Sequence, residues 1–224
     1  MTMKEHTKVT KTEMEVSATT RNRVLDVAER LFAERGLDAV SIRDITREAE
    51  ANLGAINYHF GTKDGLITAV LERRMAPLTE QRLKSLDAIE AAAKTSPPNL
   101  EAVLEAVFRP AVEQAMDPKR GGPTFSKIMA RVLVEPNPAV EKTMRSHFEP
   151  VVKRFDTALM RAMPKLMHQE VFWRMHLLIG ALHHSLLLLD REPPPGVVPL
   201  RQDAAAYTRR FVAFGAAAFR APVP

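Results

Sequence analysis

The stretch SIRDITREAEANLGAINYHFGTKDGL, residues 41–66, holds the side chains with the most telling chemistry. Ile56 and Phe60 are four apart and share one face of a helix. Turning them inward leaves Gly54, Asn57 and Tyr58 facing outward. Asn can pair bidentately with an adenine edge or serve a phosphate, and a Tyr hydroxyl suits phosphate oxygens. Asn52 is a good N-cap, and Gly54 and Ala55 after it keep the helix N-terminus open, where free N–H groups favour anions. This is chemistry for holding nucleic acid rather than for making or breaking bonds.

Two other groups of side chains admit different chemistry. His176, His183 and His184 raise metal binding, but separations of seven, eight and one residues put the nearest same-face pair two turns apart, roughly 10 Å along a helix. There is no HExxH or CxxC, so a structural or interface role is expected, ligand contact second, and no metal or cofactor is called for. No catalytic constellation is present, which argues against an enzyme. Met116, Phe125, Met129, Phe148, Phe155, Met160, Trp173 and Met175 read as core, yet Met and Phe in a helical domain can also open an apolar cavity. Were one present, a subset with His176 would line it, with Arg109, Arg131, Arg174 and the His residues as polar anchors.

The elements that must position these groups are helices. Apolar residues recur at spacings of three and four nearly everywhere, and sustained apolar/polar alternation is lacking. The spacing predicts a helix over about Thr20–Arg35 stopped by Gly36, and a short one opened by Ser41 with Asp44 as capping-box partner. A turn at Glu50–Asn52 leads to a helix over Leu53–Phe60, and Gly61-Thr62 to a long helix from Lys63 to about Lys94, with Pro77 a possible kink site. Further helices are expected over 100–116, 124–134, 139–163, 168–190 and 201–220, with loops at 95–99 and 117–123 and a stiff Pro-rich connector at 191–200. Two short helices meeting at a tight turn, backed by the first helix, suit a helix-turn-helix whose second helix enters the major groove.

Composition bounds the rest. The chain has 224 residues, 46% of them hydrophobic, and no Cys, which excludes disulfides and thiolate sites and fits the cytoplasm. The apolar run 176–189 is 14 residues with three His, too short for a bilayer, which takes about 20. The first 20 residues lack the apolar core of a secretory signal, and residues 1–18 read as a disordered tail. The net charge of +5 does not locate a nucleic-acid site: residues 1–65 carry 10 Lys and Arg against 11 Asp and Glu.

The runs AERLFAERGLDAVSIRDIT (28–46) and NYHFGTKDGL (57–66) resemble the DNA-binding domain of tetracycline-repressor (TetR) family transcription regulators. The likeness in sequence covers about residues 20–70; beyond it the helices match only in number and order. It implies that Arg43 touches base or phosphate, that Tyr58 and His59 are the phosphate-contacting aromatic and His, and that Lys63 presents a charge to the DNA backbone. Ser41 is a cap whether or not it touches phosphate, and His59 has a helix-packing reading as well. Asn57 stands where many members carry Tyr, so which bases are read stays open. The version NLGAINYHFGTK is most similar to members that respond to fatty-acid-type ligands.

The expected architecture is therefore all-α with about nine helices: a three-helix helix-turn-helix domain over 19–66 and a helical effector-binding and dimerisation domain over 67–224. Its DNA-binding residues are Ser41, Arg43, Asn52, Gly54, Ala55, Asn57, Tyr58, His59 and Lys63. Expected partners are double-stranded operator DNA, a small apolar or acidic effector, and a second copy joined through the last two helices with Gly180, Ala181, Gly215 and Ala216 at the seam; no membrane is involved. The competing reading is a helical carrier of apolar ligands without DNA binding.

Overall fold

The computed structural model describes residues 3–134, 137–189, 191–192, 194–197 and 203–223. Among them are nine α-helices, one 3-10 turn and no strand. They are α1 (Met3–Arg35), α2 (Ile42–Glu48), α3 (Leu53–Phe60), α4 (Lys63–Ala93), α5 (Leu100–Met116), α6 (Gly122–Val134), α7 (Pro138–Ala162), α8 (His168–Leu187) and α9 (Ala204–Arg220). Two compact units, Met1–Glu72 and Arg73–Pro224, divide within α4.

Local chemistry sets most boundaries. Asn52 and Asn99 cap α3 and α5, each side-chain oxygen accepting from the backbone three residues on, at 2.7 and 2.8 Å. Both helices run as the spacing predicts. α1 differs: residues 3–18, expected to form a disordered tail, continue the helix. No Gly or Pro interrupts them, and extending an existing helix adds a hydrogen bond per residue without a new nucleus. The 117–123 loop also holds more structure than expected. Asp117 Oδ1 accepts from Lys119 N at 2.9 Å to cap the 3-10 turn Pro118–Arg120, and α6 starts at Gly122 rather than Thr124. α4 stays helical through Pro77. Asp190, the expected end of α8, and Arg201, the expected start of α9, lie outside the described residues, as do Pro193 and 198–200 of the connector.

In the first unit α1 packs on α2 and α3, burying Leu25, Leu31, Phe32, Ile45 and Ile56 to 1% exposure or less. That core of fully buried side chains holds two short helices that would be marginal alone. In the second unit α5 lies along α9 and α8 joins α6, α7 and α9, with Phe108, Phe155, Leu159 and Phe219 buried between them. A Cβ on Gly215 would stand 3.1 Å from Leu178 Cδ1, and Ala216 is 2% exposed. These two small residues serve the close approach of α9 to α8 and α5 within the chain, not a seam with a second copy. Gly180 and Ala181 do face outward.

Arg174 is structural as well. Its Nη1 donates to the carbonyls of Ala218, Phe219 and Ala221 at 2.8–2.9 Å, and its Nε donates to Glu170 at 3.2 Å. The last carbonyls of a helix lack intrahelical partners, and a cation there also complements the helix dipole.

Candidate nucleic-acid interface and ligand cavity

The helix-turn-helix is built from α2 and α3. Ser41 caps α2 with a full capping box: its Oγ accepts from Asp44 N at 3.2 Å and donates to Asp44 Oδ2 at 2.5 Å, and Asp44 Oδ2 accepts from Ser41 N at 3.1 Å. The Ser41 hydrogen bonds, with the Arg47 charge beside them, hold the Asp44 carboxyl below the usual range. The Ser41 hydroxyl proton is thereby committed within the chain. Between the helices Glu50 takes a left-handed conformation (φ 47°), and its carbonyl accepts from Arg23 Nη2 of α1 at 3.2 Å. Arg30 of α1 ties α2 to α1 by an ion pair with Glu48, and pairs with Glu34 along its own helix. Two of the unit's basic residues therefore fix the angle of the probe rather than extend from it.

On α3 the buried residue is Ile56, with Phe60 half-buried, and the opposite face is open. Gly54 and Asn57 are exposed, Tyr58 is 82% exposed, and Ala55 is half-buried. Asn52 uses Oδ1 for its cap and leaves its amide N–H2 free of that role. The exposed Arg43 on α2 has no carboxylate partner among the described residues. His59 is half-buried, its ring 5.0 Å from Tyr58 and 5.8 Å from Phe60. Lys63 is half-buried and donates from Nζ to the Asp38 carbonyl at 3.0 Å, holding the α1–α2 loop while two of its donors remain. Gly65 allows the close join of α3 to α4, since a Cβ there would lie 2.0 Å from the Phe60 carbonyl oxygen.

Three exposed groups on this unit escape sequence reading. Leu53 is 56% exposed, although its spacing from Ile56 and Phe60 would put it on the buried face. It sits in the first turn, beyond the edge of the core. Arg21 stands 5.6 Å above the Phe60 ring, and Arg47 is exposed beside Asp44 at 2.8 Å. Only the packing of α1 reveals that Arg21 belongs to this surface.

The second unit holds a cavity of about 370 Å³, partly open to solvent. Of the residues expected to line it, Phe125, Met129, Phe148, Phe155, Met175 and His176 do. Met116 does not: it packs half-buried against the core. Nor does Trp173, which is 50% exposed on another face of α8. The expected polar anchors are also elsewhere. Arg109 pairs along its own helix with Glu105 and Glu113, Arg131 is off the wall, and Arg174 holds the end of α9. The polar wall instead carries Arg82, Gln114, Ser126, Asp156 and His183. Among the described residues no group of His, Asp and Glu could hold a metal ion; His176 and His183 line the cavity and His184 does not.

Burial, with the Arg82 charge second, lowers the His183 pKa from 6.5 to about 4. An unfolded chain takes up this proton as pH falls below 6.5, the folded chain only near 4, so the associated stability is present above 6.5 and lost as pH falls towards 4. Urea unfolding of the parent should therefore lose on the order of 2 kcal/mol more than His183→Gln over that interval. Parallel stability curves for the two proteins would contradict a neutral, buried His183.

Residues 24–70 match the family described as bacterial regulatory proteins, tetR family, and residues 105–218 match the tetracyclin repressor-like C-terminal domain. The HTH-type transcriptional repressor Rv3405c of Mycobacterium tuberculosis is 50% identical over 56 residues, 25% of this chain and 30% of that protein. The HTH-type transcriptional repressor KstR2 of Rhodococcus jostii is 41% identical over 51 residues, 23% of this chain and 25% of that protein. The matches thus span less than a third of either relative. In fold, a TetR-family transcriptional regulator of Streptomyces coelicolor superposes with a TM-score of 0.58 at 19% identity, covering 93% of this chain and 94% of that one. The ketosteroid transcriptional regulator KstR2 of Mycobacterium tuberculosis gives 0.57 at 18% identity, covering 87% and 93%.

Proposed function

The chain belongs to the tetR family of bacterial regulatory proteins, and we propose on that premise that it is a homodimeric repressor, acting in the cytoplasm, released from its operator by a small apolar or acidic effector. The observation that carries the DNA-binding part is the α3 face: Asn57 and Tyr58 stand out on a helix whose other face is buried, beside an uncommitted Arg43. In this reading α3 lies in the major groove with Asn52, Gly54 and Ala55 nearest the DNA. Asn57 and Arg43 read base edges, and Tyr58, His59 and Lys63 grip phosphates. Ser41 acts through its cap. Two copies would present their probe helices to half-sites about 34–36 Å apart.

The effector part rests on the cavity. A ligand can release DNA only if it binds two conformations unequally, and a coupling of about 1–3 kcal/mol gives about a 5- to 150-fold change in operator affinity. The test is binding of the full chain to its own upstream DNA at low and physiological salt, with and without apolar and acidic small molecules. Affinity that falls steeply with salt, and falls again with a ligand, is the expected result. Ligand binding with no salt-dependent DNA binding would instead favour the carrier reading.

A further inference from the structure

We propose that the cavity is built for a singly charged amphipathic carboxylate, its carboxylate seated on the two terminal amino groups of Arg82 and its apolar body among Phe125, Met129, Phe148 and Met175. This rests on the reading of the cavity as the effector site and adds what the effector must carry.

Arg82 comes from the part of α4 within the second unit and lines the cavity. Its Nε donates to the Val107 carbonyl at 2.9 Å, which orients the guanidinium and leaves the fork of its two terminal groups, four N–H donors, open to a ligand. Its guanidinium carbon lies 6.0 Å from the Phe148 ring centre, so one face rests on an aromatic wall. No carboxylate among the described residues pairs with it. Asp156 is the acid on the wall, and its Oδ2 is taken by His168 Nε2 at 3.0 Å. Burial lowers the Arg82 pKa to about 10, with no neighbouring acid opposing that, and the group remains a cation at neutral pH.

A cation in a mostly apolar wall is costly unless something pairs with it, and arginine does not escape by losing its proton. The other charged and titratable groups on the cavity wall are Asp156 from α7, already engaged, and His176 and His183 from α8. Burial keeps His183 uncharged at neutral pH, so it offers a neutral imidazole beside the guanidinium. One free cation matches one negative charge, and a planar fork matches a planar carboxylate bidentately. A phosphate dianion would bring a charge with no partner, a cationic ligand would face Arg82 directly, and a neutral one would strand it. The volume, about 370 Å³, lies in the range of small-molecule pockets and accommodates an apolar body behind the headgroup.

The comparison that isolates the charge uses decanoate and its methyl ester as probes of the full-length protein, followed by isothermal titration. The parent should bind the acid at least ~10-fold more tightly than the ester, the scale expected for a charge-assisted bidentate pair on a half-buried wall. Arg82→Met, which keeps the apolar stem, should lose that preference and still bind the ester; Arg82→Lys should retain part of it. Circular dichroism checks that each variant is folded, and the acid-to-ester ratio of the parent needs no variant at all. Equal binding of acid and ester by the parent, a preference that survives Arg82→Met, or tighter binding of decyl phosphate than of decanoate overturns the proposal while leaving the cavity an effector site. Binding of none of the three overturns the effector reading as well.

Discussion

Replacing Asn57 and Tyr58 together by alanine is expected to weaken operator binding ~30- to ~1000-fold, the loss of two good contacts worth about 1–3 kcal/mol each less what neighbouring contacts recover. Folding should be untouched. Both side chains are exposed, Tyr58 at 82%, and the helix is held by Ile56 and the Asn52 cap on its other side. Neither residue is charged, so affinity should fall while the dependence on salt keeps its slope. Arg43→Ala, in contrast, removes a cation with no carboxylate partner among the described residues and should flatten that slope by about one if it meets a phosphate, or relax one base position if it meets a guanine edge. Fluorescence anisotropy with operator and scrambled DNA at several salt concentrations reads all three quantities. Parental affinity in the double variant would remove α3 from the interface.

In the proposed homodimer, Leu177→Arg is expected to reduce dimer affinity at least ~100-fold, leaving a monomer at micromolar concentration, with operator binding falling with it. α8 carries Trp173, Leu177, Gly180, Ala181 and His184 on its outer surface at spacings of three, four and seven, and Leu177 is 68% exposed. Phe214 of α9 is also exposed, at 59%. A contiguous apolar patch on one side of a molecule is the usual mark of a partner. The space beyond Gly180 is open, since a Cβ built there meets nothing within 4 Å, which suits close helix approach. In a two-fold interface the same patch meets itself, so one Arg per chain puts two like charges into one apolar seam. Sedimentation equilibrium of parent and variant decides it: an unaltered dimer would move the interface away from this face.

Much of the helical plan was legible from residues alone because its signals are local. Caps at Ser41, Asn52 and Asn99, the break at Gly61, and Ile56 and Phe60 four apart act within one or two turns, so composition and spacing suffice. The exposed face of α3 is legible for the same reason: with one side of a short helix assigned to the core, the other side is known. Where the signal is not local the reading fails. Leu53 has the spacing of a buried residue but lies past the edge of its core, and residues 3–18 have no apolar face yet continue a helix begun by their neighbours.

What the sequence by itself determined is an all-helical chain with a helix-turn-helix and the face it presents. What only the tertiary structure decided is where the arginines of the second unit go. Arg82, Arg109, Arg131 and Arg174 are alike in type, and three of them were expected to anchor a ligand. Packing gives one a row of carbonyls at the end of α9, leaves another in ion pairs along α5, and places Arg82 on the cavity wall. Helical period names the face a side chain occupies; which neighbour closes over that face depends on how α5, α7 and α8 pack, and that is set by contacts remote in sequence.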